Sequence, residues 1–152
     1  MIGRRRLMFA LAGCPIGVLT APSKAAAADE PSALWAALRS GEAVAMMRHA
    51  LAPGTGDPAE FEIDDCSTQR NLSDRGRAQA RAIGQRFRAN GIERAEVGSS
   101  QWCRCLETAR LLGLGDVEPM PALNSFFRDR DRGPAQTTAL EDHLQARSSR
   151  ER

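Results

Sequence analysis

From Ala43 onward, short apolar runs alternate with stretches whose apolar residues recur at helical spacing, and this alternation restricts the fold more than any other feature. Ala43–Met47 is a continuous apolar run that stops at Arg48-His49, as expected of a central strand buried on both faces. Ahead of it, "PSALWAALRS" puts Leu34, Trp35 and Leu38 on one side of a short helix that Gly41 stops. The clearest helix is "NLSDRGRAQARAIGQRFRANG". Ser73 or Asp74 can cap it and Gly91 can end it. Ala80, Ile83 and Phe87 make its core stripe, while Arg75, Arg77, Arg81, Arg86 and Arg88 mostly face water. "AEVGSS" predicts a second strand and "QWCRCLETARLLG" a helix ended by Gly113. "VEPMPAL" predicts an edge strand, because prolines are tolerated there. A last helix starts after Gly133-Pro134 and runs into a charged tail.

Strands separated by helices imply an α/β fold with a parallel sheet. Ligands of such sheets sit outside the carboxyl ends of the strands. His49 follows the first strand, and Ser99 and Ser100 follow the second, so both loops open onto the same edge. The intervening segment, Ala50 to Gln69, is rich in Gly, Pro and Asp. A loop of that length inside a domain is usually functional or disordered.

The first 28 residues read as a secretory leader, which leaves 29–152 as a single domain. Arg4, Arg5 and Arg6 form a basic opening, an apolar stretch too short to span a bilayer follows, and "SKAAAADE" offers a small-residue cleavage site near Ala28. The arginine run is also compatible with a twin-arginine leader, and "LAGC" resembles a lipoprotein box at Cys14. Periplasmic or secreted location is the expectation, with no stable membrane insertion after cleavage. The charge balance changes accordingly. Of 21 basic residues, four (Arg4, Arg5, Arg6, Lys24) lie in the leader, leaving 17 against 19 acidic ones. The basic pI therefore gives no support for a nucleic-acid partner. In an oxidising compartment Cys66 can pair with Cys103 or Cys105, leaving one thiol over. Two distant histidines cannot supply a metal site, and "GTG" at 54–56 is too short for a dinucleotide fingerprint.

The placement of Arg48-His49 suits phosphoryl chemistry. A guanidinium can hold two phosphate oxygens at once. Arg104 falls in the first turn of the helix after "GSSQW", where free N–H groups and a positive dipole end favour an anion. One charge pair at about 4 Å contributes roughly 4 kcal/mol at an effective dielectric of 20. Unaided phosphate monoesters hydrolyse very slowly, so a covalent route through a nucleophile helps. Neutral imidazole is competent near pH 7. If one ring nitrogen gives its proton to a backbone carbonyl, the other is left to attack phosphorus.

The segments "MMRHALAPG", "LSDRGRAQA" and "SSQWCRCLETA" resemble the histidine phosphatase superfamily, also called phosphoglycerate mutase-like. The family pattern of Arg-His-Gly, a helix with Gly and Gln-Ala, then Ser-x-x-x-Arg-x-x-x-Thr-Ala falls here on Arg48-His49-Ala50, on Gly76 with Gln79-Ala80, and on Ser100, Arg104, Thr108 and Ala109. The resemblance covers about residues 42–146. It implies a three-layer α/β/α sandwich with a mostly parallel sheet. It further implies a phosphatase that passes a phosphomonoester's phosphoryl group through His49, with no metal or other cofactor; the leader makes an exported enzyme the expectation. Arg48, Arg104, Ser100 and Arg70 are the candidate contacts to a small phosphorylated substrate. Two departures stand out. Ala50 replaces the glycine of the pattern. The later histidine, in a Thr-His context after a further strand, has no counterpart, because His143 falls in a helix and reads as an exposed residue. The last strand and helix of the fold are expected to be missing. The alternative reading is a catalytically impaired remnant or a phosphate-binding pseudoenzyme. Asn124, Asp129 and Asp131 stand near the place where a general acid is expected.

Overall fold

Pro31 in the first turn and Gly41 just past the end frame α1, Glu30–Ser40. The computed structural model describes residues 30–150, so the leader expected over 1–28 lies outside the described residues. Trp35 meets Phe87 edge-on, with ring centroids 5.3 Å apart. The Arg39 guanidinium donates to the Asn90 carbonyl at 2.8 Å. These contacts dock α1 on the far end of the next helix.

α2, Asp74–Ala89, is capped by Ser73, whose hydroxyl accepts from the Gly76 N–H at 3.1 Å. Its buried residues, Gly76, Ala80 and Gly84, recur every four positions and form a stripe of small side chains. That stripe sets how closely backbone can approach. A Cβ on Gly76 would stand 2.1 Å from the Leu51 carbonyl oxygen, and one on Gly84 would stand 2.0 Å from that of Leu112. Of the helix's arginines, Arg75, Arg81 and Arg86 face water as expected. Arg77 instead pairs with Glu107 at 2.6 Å, and Arg88 donates to the Leu112 and Gly113 carbonyls.

β1, Val97–Ser99, leads into α3, Cys103–Leu112, which Gly113 ends in the left-handed conformation (φ 63°). β2 is Val117–Pro119 and runs parallel to β1, with Val97 opposite Val117 and Ser99 opposite Pro119. β1–α3–β2 is thus a parallel crossover unit, as the sequence predicts. α4, Gly133–Arg150, follows short 3₁₀ turns at Pro121–Leu123 and Arg130–Arg132. Arg147 of α4 reaches Glu96, just before β1, at 2.5 Å. The buried apolar residues are small or medium: Ala50, Ala52, Leu72, Ala80, Ala109, Leu112 and Leu114.

Helices around a parallel pair of strands make this an α/β arrangement. The expected first strand is the main departure. Ala43–Met47 forms no strand among the described residues, and Val44, Met46 and Met47 are 62%, 67% and 45% exposed. The reason lies in pairing rather than in composition. A strand exists only through its ladder partners, and the two assigned strands pair with each other alone.

Replacing an exposed helical glycine by alanine gains about 1 kcal/mol. Gly84→Ala is expected to have the opposite sign, because its Cβ overlaps the Leu112 carbonyl. A loss of roughly 1–3 kcal/mol is expected, read as a lower midpoint in urea. An unchanged midpoint would show that the helices do not meet there.

Candidate active site

Three backbone residues, Ala50 to Ala52, are the seat on which the site is built. The Ala50 N–H donates to the Thr108 hydroxyl at 3.0 Å, and that hydroxyl donates to the Arg104 carbonyl at 2.7 Å. The Leu51 N–H donates to Gln79 Oε1 at 2.9 Å. The Leu51 carbonyl accepts from the Ser73 N–H and presses on Gly76. Gly76, Gln79, Ala80 and Thr108 therefore act together. They bring α2 and α3 against the segment that follows His49.

His49 is half-buried, and its Nδ1 lies 2.7 Å from the Ala50 carbonyl oxygen. A carbonyl only accepts, so Nδ1 carries the proton and Nε2 keeps its lone pair. Burial pushes the imidazole below its ordinary pKa of 6.5, and the charges of Arg104, Arg48 and Arg70 push the same way. The Ala50 carbonyl opposes them without cancelling them. The ring is neutral at neutral pH.

The arginines differ in their surroundings. Arg104 is only 8% exposed. Its Nη1 and Nη2 donate to Asp57 Oδ1 at 2.6 Å and Oδ2 at 3.1 Å. Asp57 Oδ1 also accepts from the Arg70 backbone N–H at 3.2 Å, and Oδ2 from the Trp102 indole N–H at 3.1 Å. Burial raises the Asp57 carboxyl, but the bonds from Arg104, Arg70 and Trp102 outweigh it and hold the group below its ordinary value. Arg70 donates from its guanidinium to the carbonyls of Ala52, Gly54 and Gly56 and so shapes the loop. Arg48 is exposed and makes no ion pair among the described residues.

The long loop is pinned to the start of α3. Cys66 is bonded to Cys103, with Cα atoms 5.6 Å apart, which leaves Cys105 as the free thiol among the described residues. Burial raises the Cys105 thiol. Phe61 stacks on Trp102 at 5.0 Å. Buried Gln69 accepts from the Cys103 N–H at 2.9 Å and donates to the Glu62 and Ile63 carbonyls. The amides at the start of α3 were expected to be free for an anion. Instead, Gln69 takes that of Cys103, and Asn124 takes that of Gln101 at 2.8 Å.

Ser100 donates its hydroxyl to Asn124 Oδ1 at 3.1 Å, and Asn124 thus braces the β1–α3 turn. Asp129 and Asp131 are exposed beside the 3₁₀ turn before α4 and form no ion pair among the described residues. His143 is half-buried on α4 rather than exposed. No group of three or more His, Cys, Asp and Glu among the described residues is placed to hold a metal ion. Sequence reasoning missed Asp57 and Gln69. The available signal for Asp57 was that it is the one acid in "ALAPGTGDP", within a turn segment between His49 and Arg70.

Two measurements check this geometry. An NMR titration of the His49 ring, assigned with His143→Gln, should give a midpoint below 6.5; a midpoint above it would mean that the ring is neither buried nor flanked by cations. Thr108→Val strands the buried Ala50 N–H and should cost roughly 1–3 kcal/mol in urea unfolding, with Thr108→Ser restoring most of it.

Residues 44–151 match the family model of the histidine phosphatase superfamily, branch 1. Comparison with curated proteins and with solved structures gives no significant match. The matched segment runs from the apolar stretch before His49 through α4 and takes in well over half of the chain, so this protein belongs to the histidine phosphatase superfamily.

Proposed function

We propose that the protein is an exported phosphatase that hydrolyses a small phosphomonoester through a phosphohistidine on His49. Membership of the superfamily supports a phosphatase-type function acting on small phosphorylated substrates. The observation that carries the finer reading is the state of His49: Nδ1–H is fixed on the Ala50 carbonyl, which frees Nε2 as the nucleophile. Burial lowers the pKa of that ring most, and the charges of Arg104, Arg48 and Arg70 push the same way. In the first step the Nε2 lone pair forms an N–P bond, the P–O ester bond breaks, and the leaving oxygen takes a proton from solvent, which the attacking water returns in the second step. In the second, water attacks the phosphorus, the N–P bond breaks, and inorganic phosphate leaves.

Arg48 and Arg104 hold the phosphoryl oxygens and offset their charge. Arg70 and Ser100 are further candidate contacts to the substrate; Arg70 also shapes the loop through Nε and Nη1, and Ser100 braces the start of α3. Export, to the periplasm or outside the cell, is supported by the leader-like first 28 residues and agrees with the Cys66–Cys103 disulfide.

A second reading, a phosphate-binding protein without turnover, is favoured by the position of the other histidine. His143 sits on α4 and is not among the groups acting on His49. Incubation with ³²P-labelled aryl phosphate separates the two. Acid-labile, alkali-stable label on the wild type, absent from His49→Ala, is expected. Phosphate binding without label would favour the second reading.

A further inference from the structure

Arg104 carries five N–H donors, and their use is uneven. Its end-on edge, Nη1 with Nη2, is taken up by the two oxygens of Asp57. Its Nε–H is buried and has no partner. A buried donor left unmade is costly, and such a group calls for an explanation. The unpaired Nε–H shares the side edge of the guanidinium with the second N–H of Nη2, a fork that fits two oxygens of a phosphoryl group.

Asp57 is itself held rigidly. Each carboxylate oxygen accepts a second bond, Oδ1 from the Arg70 N–H and Oδ2 from the Trp102 indole. Trp102 is steadied by Phe61 stacked on it, and the Arg128 guanidinium donates to the Asp57 and Pro58 carbonyls. The plane of the carboxylate is thereby fixed, and a bidentate pair transmits that plane to the guanidinium. Both side chains are about nine-tenths buried, so the pair is little loosened by water.

We infer that Asp57 is a positioning residue for phosphate recognition: it clamps the end-on edge of Arg104 so that the side edge, Nε–H with Nη2–H, is presented to two phosphoryl oxygens. This rests on the reading of Arg104 as a phosphate contact. An alternative role for the same pair is opposite in sign. If Asp57 merely occupied the place of phosphate, its removal would strengthen anion binding.

Titration of the full chain with inorganic phosphate, followed by calorimetry, tests the assignment without requiring turnover. Asp57→Asn, nearly isosteric, should weaken phosphate binding roughly ten- to hundredfold. Trp102→Phe keeps the stacking on Phe61 but removes one bond to Asp57, and it should weaken binding by a smaller factor; it also carries the test if Asp57→Asn fails to fold. In an Arg104→Ala background, Asp57→Asn should produce no further weakening, whereas a merely structural role would weaken both backgrounds alike. Tighter binding by Asp57→Asn, or equal weakening in both backgrounds, overturns the inference while leaving the phosphatase reading intact. Wild-type protein that binds no phosphate at all overturns both.

Discussion

Two helices meet on three residues of backbone, and the candidate site exists because they do. The Ala50 N–H needs the Thr108 hydroxyl, the Leu51 N–H needs Gln79, and the Leu51 carbonyl lies where any side chain on residue 76 would be. Buried peptide groups must find partners. Here the partners come from α2 and α3, which also meet where Gly84 faces the Leu112 carbonyl and through the Arg77–Glu107 pair. His49 inherits its position from this seat, and the Ala50 carbonyl that fixes its tautomer belongs to the same segment.

The long loop is held down by several unlike interactions, each at a different point along it. Asp57 is tied to Arg104, Phe61 to Trp102, Cys66 to Cys103, and Gln69 to the Cys103 amide. All of them converge on the first turn of α3. A flexible loop of such length has much conformational entropy to lose. Spreading the attachments along it keeps the Asp57 end in register with the Cys66 end. The buried ion pair within this set need not be a net source of stability, since desolvation opposes its Coulomb attraction. Its value lies in orienting a guanidinium that would otherwise have several rotamers.

Much of the local structure was legible. The Ser73 cap, the Gly113 stop and the edge character of Val117–Pro119 follow from side-chain chemistry that acts within a few residues. The family pattern also picked out Gly76, Gln79 and Thr108. Residue types alone did not say that they support backbone rather than touch a ligand. The strand expected at Ala43–Met47 failed for a complementary reason. Apolar composition can favour a strand, but only neighbouring strands supply its hydrogen bonds.

The sequence by itself determined the helices, their ends and the parallel crossover, because these depend on periodicity and on short-range spacing. Tertiary structure decided which cysteine pairs with Cys66, which amides at the start of α3 remain free, and that Asp57 lies on Arg104, 47 positions along the chain. Such contacts depend on how a long loop closes in space. No local propensity encodes that closure.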